Sequence, residues 1–387
     1  MTDPNRFLPL FRPLQAGGLK LRNRFMRSAT WLAGADPRTG ALTEGLLGRY
    51  AELAAGGVGL VVTGYGYISR DGKSAPRQWA LDGDGAVGDV RRIADVVHGG
   101  GAKVMVQIVH GGGWRHPSAV GAGRLLSPSG GALDRKAALS ERLTEADIDQ
   151  VIADFAAAAA RVREGGADGV QIHGAHGFLL TQFLSPLHNR RDDDWGRSFE
   201  GRSKLFFSVY DAVRSAVGKD FPLWFKLSLS EEVDGGYGPE EGLRLALRLA
   251  ETGVDGIEVS GGAGYSTAER AACRIGVTRG ESEAYFAESA RALRAQAPER
   301  CAVALVGGLR SLEKMTELLE GGICDLFAMS RPFIAEPDLV NRWFEEDLVP
   351  SGCVSCNACF KTAERGLIDC PVMRDKHEGM WDPLPES

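Results

Sequence analysis

Short apolar runs alternate with longer amphipathic stretches along most of this chain. Eight runs rich in Val, Ile, Leu, Phe and Ala predict buried parallel strands, at residues 24–29, 58–63, 103–109, 169–173, 223–229, 256–260, 302–306 and 325–330. Seven stretches with apolar positions at helical spacing lie between them, at residues 43–55, 87–98, 145–164, 199–217, 239–251, 283–296 and 312–320. This alternation predicts an α/β fold of the (β/α)8 TIM-barrel type.

Two segments outside these repeats complete the predicted architecture. Residues 14–21 alternate around Gly17 and Gly18, which is typical of an N-terminal hairpin that closes the bottom of a barrel. Residues 111–143 form the longest irregular connection and are expected to overhang the site as a rim or lid. We expect one barrel domain over residues 1–350, followed by a short Cys-rich extension over residues 351–387.

Composition and charge narrow the choice of partners. The 387 residues are 44% hydrophobic and 25% charged, which is typical of a soluble globular protein. The formal net charge of -6, without any large cluster of Lys and Arg, argues against a nucleic-acid partner. The longest uncharged apolar stretch, residues 56–69, is too short to span a membrane, and residues 1–4 do not begin a signal peptide. These features predict a cytoplasmic enzyme that acts on a small molecule.

The clearest candidate for chemistry is a pair of histidines. The predicted strand over residues 169–173 ends at His173, and His176 follows within a Gly-Ala-His-Gly turn. The carboxyl ends of parallel strands are where α/β proteins bind ligands. Two neutral imidazoles can donate N–H groups to one electron-rich oxygen and can take part in acid–base chemistry. A metal pair or structural histidines are the alternatives, although no third ligand of matching spacing follows.

The stretch that begins at His173 also carries a resemblance to a known family. HGAHGFLLTQFLSPLHNRRDDDWGRSFEGR, residues 173–202, resembles the signature of the old yellow enzyme family of FMN oxidoreductases. The branch concerned also contains 2,4-dienoyl-CoA reductase and trimethylamine dehydrogenase, and the resemblance extends from about Phe7 to Trp343. It implies an FMN-binding barrel that transfers hydride from NAD(P)H through the flavin to an electrophilic substrate such as an activated alkene. It also implies that His173 and His176 hold the substrate oxygen, and that the protein forms a homo-oligomer.

A set of residues near the strand ends is expected to bind the flavin. Backbone amides at Gly307 and Gly308 can approach a phosphate, and Arg331, beside Ser330, can form a bidentate pair with it. Lys226 is a lone cation in an apolar strand, so it should be paired or functional. The resemblance implies that the flavin phosphate is bound by Gly307, Gly308, Ser330 and Arg331, and that Lys226 faces the flavin N1 and O2. It also implies that Gln107 contacts the pyrimidine edge, and that the central ring is lined by Ala29, Thr30 and Tyr65. Structural turn glycines and a satisfied core amide are the alternatives for Gly307, Gly308 and Gln107.

The expected substrate pocket departs from the family pattern. Trp31 occupies a position where many relatives have Thr or Cys. Tyr67 is expected to border the same cavity as Tyr65, and the alternative for both tyrosines is an ordinary aromatic of the rim. Phe178 replaces the Tyr that protonates the substrate carbon in the commonest ene-reductases, and a phenyl ring has no proton to give. Tyr65, Tyr67, Tyr265, a histidine or water could supply the proton.

The replacement of that Tyr by Phe178 also leaves other functions open. A flavin-linked oxidase, a demethylase and a double-bond isomerase need no such carbon protonation. A flavin and iron–sulfur redox sensor or carrier is the non-enzymatic alternative. The paired histidines favour an enzyme, since a carrier has no use for a site that holds a substrate oxygen.

Four of the seven cysteines cluster near the carboxyl end of the chain, at Cys353, Cys356, Cys359 and Cys370. Clustered cysteines in a cytosolic chain indicate a metal or cluster site rather than disulfides. The spacing resembles the motif that holds a [4Fe–4S] cluster in the dienoyl-CoA reductase branch, with a shorter final gap. A [4Fe–4S] cluster, one tetrahedral zinc ion and free structural thiols are the three interpretations.

Overall fold

The computed structural model describes residues 4–133, 138–278, 280 and 282–374. Eight parallel strands pair in chain order, and the last pairs with the first, so the sheet closes into a barrel. These strands are β3 (Phe25–Arg27), β4 (Leu60–Val62), β6 (Lys103–Val109), β9 (Gly169–Gly174), β10 (Leu223–Ser228), β11 (Gly256–Ser260), β12 (Ala302–Val306) and β13 (Leu326–Met329). The predicted (β/α)8 barrel is confirmed.

Short strands and thirteen α-helices complete the described part of the fold. The additional strands are β1 (Leu14–Ala16), β2 (Leu19–Leu21), β5 (Gly66–Tyr67), β7 (Leu126–Ser127) and β8 (Glu141–Arg142). The helices are α1 (Leu8–Phe11), α2 (Glu44–Ala55), α3 (Gly85–Gly99), α4 (Glu145–Glu164), α5 (Leu179–Leu184), α6 (Phe199–Val217), α7 (Pro239–Thr252), α8 (Ala287–Arg294), α9 (Leu312–Glu320), α10 (Arg331–Ala335), α11 (Leu339–Phe344), α12 (Cys359–Thr362) and α13 (Pro371–Arg374). None of the helices in the described ranges combines the length and the apolar character needed to cross a membrane.

The ends of helix α4 agree with the prediction from the sequence, whereas those of helix α8 do not. Thr144 caps α4 through a capping box with Asp147, so α4 begins and ends as predicted. Helix α8 is shorter than predicted, because Glu283 is used elsewhere. Its carboxylate accepts hydrogen bonds from the backbone N–H groups of Arg310 and Ser311, at 2.9 and 3.1 Å. Glu283 thus contacts the loop that follows β12, and it lies outside the helix, which begins at Ala287.

Two hydrophobic cores lie on opposite sides of the barrel wall. The larger core fills the space between the strands and the outer helices, and the smaller one fills the lower interior of the barrel. The predicted hairpin of β1 and β2 closes the smaller core. The Trp224 indole N–H donates to the Gly17 carbonyl at 3.0 Å, and a Cβ on Gly17 would lie 2.4 Å from that indole. A residue without a side chain is therefore required at Gly17.

The register of the strands sets the polar layers above this lower core. Lys226 on β10 is level with His173 on β9 and with Glu258 on β11. Gln107 on β6 is level with Gln171 on β9. Side chains of one layer point to the same face, so these polar groups meet inside the upper half of the barrel.

Candidate active site

One large cavity, of about 930 Å³, opens at the carboxyl ends of the barrel strands. A volume at the upper end of the range for small-molecule sites leaves room for a cofactor and a substrate together. Twelve of the residues predicted for the site line it, namely Ala29, Thr30, Trp31, Tyr65, His173, His176, Phe178, Lys226, Gly307, Gly308, Ser330 and Arg331. The connection expected to form a rim contributes Trp114, His116 and Ser118 to the same wall.

The two histidines stand edge to face, with ring centroids 5.2 Å apart. His173 Nδ1 accepts a hydrogen bond from the backbone N–H of Ala175 at 3.2 Å, so a neutral His173 carries its proton on Nε2. His176 Nε2 lies 2.8 Å from the Ser260 hydroxyl. His176 also adopts a left-handed backbone conformation, with φ 62°, which is strained for a residue with a side chain. Such strain is typical of residues that a functional site holds in place.

Both imidazoles are neutral near pH 7. Burial, and then repulsion from a protonated His176 and from Lys226, hold the pKa of His173 well below its ordinary value. Burial, and then Lys226, likewise lower the pKa of His176 well below its ordinary value. A neutral imidazole donates a hydrogen bond to a ligand oxygen without carrying a charge into the cavity. The pair is therefore suited to binding a carbonyl, nitro or similar oxygen.

Aromatic rings enclose His173. The Phe178 and Tyr65 ring centroids lie 4.7 and 5.9 Å from that of His173, and Trp114 packs edge to face against Phe178 at 5.7 Å. Burial raises the pKa of Tyr65, so its phenol keeps its proton. Trp31, also in the wall, donates its indole N–H to the Pro76 carbonyl at 3.1 Å. The cavity around the histidines is thus a largely apolar box with a neutral phenol in its wall.

A buried charge network begins level with His173 and extends one layer deeper into the barrel. Lys226 Nζ is 2.8 Å from Glu258 Oε1, and it also donates to the Ser28 hydroxyl at 2.8 Å. The Ser28 hydroxyl in turn donates to the same Glu258 oxygen at 2.5 Å, and Gln171 donates to the other Glu258 oxygen at 3.0 Å. Gln107 donates its side-chain amide to Gln171 at 2.6 Å. The lone cation predicted in the apolar strand is therefore paired, and it also faces the cavity.

Glycines and arginines form the opposite end of the cavity. Gly307 and Gly308 have φ of 131° and 78°, a conformation that favours glycine, and a Cβ on either would meet Tyr285 at about 3 Å. Arg331 and Arg310 line this end together with Ser330. Two guanidinium groups beside the backbone of two glycines are a typical setting for a phosphate.

Two predicted residues do not line the cavity. Tyr67 lies in β5 and is buried against the outside of the barrel, where its hydroxyl donates to the Thr39 carbonyl at 3.4 Å. Tyr67 is not among the residues that line the cavity, so its expected place beside Tyr65 in the cavity wall is corrected. Gln107 lies one layer deeper than the lining residues, with its side-chain oxygen buried and without a hydrogen-bond partner in the described chain. Its contact with the flavin stays a prediction.

Four residues of the site were missed by the sequence analysis. Glu258 and Ser260 lie in a predicted strand, and an acidic residue within an apolar run is the signal that could have identified Glu258. Arg310 follows the two phosphate-loop glycines by two positions, and Trp114 lies in the predicted rim. Their roles depend on partners that are distant in the chain, so the local sequence does not indicate that they belong to the site.

The four clustered cysteines line one small cavity that lies behind Arg331. None of the four forms a disulfide. Burial raises the pKa of Cys359 to about 11 and also raises the pKa of Cys370. Within the described ranges, no three or more His, Cys, Asp or Glu side chains are arranged to hold a metal ion. The metal-ligand assignment of Cys353, Cys356, Cys359 and Cys370 therefore stays a prediction, and the extension beyond residue 374 lies outside the described residues.

Comparison of the sequence with known families shows the class of protein to which this chain belongs. The NADH:flavin oxidoreductase / NADH oxidase family matches residues 9–347. The chain therefore belongs to that family, and the resemblance to old yellow enzymes is confirmed.

Individual relatives agree with this family. An NADH oxidase from Thermoanaerobacter brockii is 32% identical over 91% of this chain and 53% of its own length. An NADPH dehydrogenase from Geobacillus sp. (strain WCH70) is 32% identical over 85% of this chain and 91% of its own length. The old yellow enzyme homologue from Zymomonas mobilis shares the fold, with a TM-score of 0.77, 23% identity and coverage of 94% of this chain and 98% of that one. The chain spans about half the length of several curated relatives that it matches.

Proposed function

We propose that this protein is an FMN-dependent NAD(P)H oxidoreductase that reduces an electrophilic substrate such as an activated alkene. The observation that carries the proposal is the arrangement of one cavity. The neutral pair His173 and His176 lies at one end, Lys226 lies in its floor, and Arg310 and Arg331 lie at the other end. Family membership over residues 9–347 supports the flavin and the nicotinamide.

The residues of the cavity fit FMN on structural grounds. Gly307 and Gly308 have left-handed backbones with no room for a Cβ beside Tyr285, and Arg331 in the same end of the cavity matches a phosphate dianion. Lys226 would place positive charge under the pyrimidine end of the ring, and Ala29, Thr30 and Tyr65 would line its central part. FMN, when bound, supplies a carrier that accepts a hydride from NAD(P)H and passes it to the substrate.

The residues of this chain position and polarise the substrate. His173 Nε2–H donates to the substrate oxygen, and His176, held by Ser260, faces the same region. Hydrogen bonds to the oxygen withdraw electron density from the conjugated carbon, which makes that carbon a better hydride acceptor. The surrounding rings of Tyr65, Phe178 and Trp114 exclude water from the reacting atoms.

Tyr65 is the best candidate for the proton donor in place of Phe178. It lines the cavity with its ring centroid 5.4 Å from that of Phe178, and its raised pKa keeps its phenol protonated. Tyr67 and Tyr265 are less suited to this role, because the Tyr67 hydroxyl donates to the Thr39 carbonyl and the Tyr265 hydroxyl donates to Glu231.

Because Phe178 lacks a proton, a second candidate function is substrate oxidation, including demethylation, or double-bond isomerisation at the same site.

The test is an anaerobic measurement of the two half-reactions on the FMN-loaded protein. We expect NADPH or NADH to reduce the flavin, and 2-cyclohexenone to reoxidise it with formation of cyclohexanone. Flavin that stays reduced in the presence of the enone contradicts alkene reduction. Bleaching of oxidised flavin by an amine or another reduced substrate alone indicates the oxidising function instead.

The Phe178→Tyr variant sharpens this test. A phenol at this position adds a general acid beside His173, so we expect the enone-dependent step to rise about 100-fold, the lower end of the range of general-acid effects. Reduction by NAD(P)H should not change, since it needs no proton from residue 178. An unchanged rate with the enone contradicts the view that proton supply limits the wild-type enzyme.

We also propose that the four clustered cysteines bind a [4Fe–4S] cluster, with zinc as the alternative. The support is that Cys353, Cys356, Cys359 and Cys370 line one cavity, and that thiolates are the ligands such clusters prefer. Iron, zinc and acid-labile sulfide are to be assayed on anaerobically prepared protein. About four irons and four sulfides per chain support the cluster, one zinc without sulfide supports the alternative, and neither metal contradicts both.

A further inference from the structure

The two arginines at the phosphate end of the cavity are held by the cysteine-rich loop. Arg310 donates to the carbonyl of Cys353 at 2.6 Å and to the hydroxyl of Ser355 at 2.7 Å. Arg331 donates to the side-chain oxygen of Asn357 at 2.6 Å. Both arginines are buried, and Ser355 is 1% exposed. A segment that lies outside the barrel in sequence therefore orients both arginines at the phosphate end of the cavity.

The loop is shaped for these contacts. Ser355 and Asn357 both have a left-handed backbone, with φ of 52° and 59°. The Asn357 amide group also donates to the carbonyl of Cys273 at 3.0 Å, and the Ser355 carbonyl accepts from the backbone N–H of Gly276 at 3.3 Å. These hydrogen bonds fix the loop to the connection that follows β11. They also help to hold Ser355 and Asn357 in their unfavourable left-handed conformations.

The chemistry of the acceptors matters as much as their position. A carbonyl, a hydroxyl and an amide oxygen orient a guanidinium group without cancelling its charge. In the described part of the chain, no carboxylate lies within 4.0 Å of the guanidinium of Arg310 or Arg331. No directly paired carboxylate therefore competes with an anion in the cavity for either guanidinium group.

We infer that Ser355 and Asn357 are positioning residues for the FMN phosphate, acting through Arg310 and Arg331. The cysteine-rich loop is then part of the cofactor site and contributes to FMN affinity. This inference rests on the proposed function, because it takes the anion at this end of the cavity to be the flavin phosphate. It predicts that loss of the two side chains weakens binding of the phosphate and leaves binding of the ring unaffected.

The experiment compares FMN with riboflavin, which has the same ring and no phosphate. Flavin is removed from the full-length protein, and the dissociation constants of both flavins are measured by fluorescence quenching. The test variant is Ser355→Gly with Asn357→Gly, since glycine accepts the left-handed backbone while removing both acceptors. Val354→Ala, in the same loop with a 55% exposed side chain, is the matched control.

We expect the wild-type protein and the control to bind FMN more tightly than riboflavin. In the double variant, FMN should bind about tenfold more weakly, because two hydrogen bonds that orient the arginines are lost. Riboflavin affinity should be unchanged, which also shows that the variant is folded. Equal weakening of both flavins, or unchanged FMN affinity, overturns the positioning role. A wild-type protein that binds neither flavin, or does not distinguish them, overturns the assignment of the phosphate site itself.

Discussion

Replacing His173 by Ala should lower kcat/KM for 2-cyclohexenone by about 100- to 1,000-fold, the typical loss when a preorganised hydrogen-bond donor to a developing oxyanion is removed. The reason is geometric. The Ala175 backbone N–H fixes the proton of His173 on Nε2, and the enclosing rings of Tyr65 and Phe178 keep water from replacing it. Stopped-flow measurement of flavin reoxidation by the enone isolates this step.

The reductive half-reaction and the pH profile separate this role from a structural one. His98→Ala, on the surface at the end of α3, is the matched control and should leave both half-reactions unchanged. In the wild-type protein, the enone-dependent step should not fall as pH decreases through about 6.5, the ordinary imidazole pKa, because the pKa of His173 lies well below that value. Equal loss in both half-reactions of His173→Ala contradicts a role specific to the substrate oxygen.

Replacing Lys226 by Met should lower the free energy of unfolding by about 3–5 kcal/mol, because it leaves the buried carboxylate of Glu258 without its cation. Lys226 and Glu258 are 4% and 0% exposed, and their charged atoms are 2.8 Å apart. Ser28 and Gln171 still donate to the carboxylate, but neutral donors do not replace a positive charge. Urea denaturation of the flavin-free protein measures the loss.

A double variant tests whether the loss arises from the unpaired charge. Adding Glu258→Gln to Lys226→Met removes both charges, so the double variant should recover most of the stability that the single variant loses. Lys314→Met is the control, since Lys314 pairs with Glu317 at 2.6 Å on the surface and should cost no more than about 1 kcal/mol. Additive losses in the double variant contradict the explanation by an unpaired charge.

The periodicity of the sequence predicted the barrel because each β/α step carries its own signal. Helix α4 shows how local this information is: the Thr144 cap and the apolar spacing fix both its ends without help from the rest of the chain. The histidine pair could also be placed, since a strand that ends at His173 must present that residue at the carboxyl edge of a parallel sheet. Residues whose position follows from the direction of one strand could therefore be predicted from the sequence.

Contacts between segments that are distant in the chain could not be predicted from the sequence. The partner of Lys226 is Glu258, on the next strand but 32 positions along the chain, and the register of the closed barrel alone makes them level. Arg310 meets Ser355 only because the cysteine-rich loop packs against the open end of the barrel. Tyr67 was misplaced for the same kind of reason, because its hydroxyl binds the Thr39 carbonyl, 28 positions earlier in the chain, and not a group of the cavity wall.

The sequence by itself determined the barrel, the family and the two ends of the site, because periodicity and a long contiguous motif are local properties of the chain. The tertiary structure alone decided which charges are paired, which tautomer His173 adopts, and that the cysteine-rich loop supports the arginines. Hydrogen bonds and ion pairs depend on distances of a few ångströms between residues far apart in the chain, and only the packed fold sets those distances.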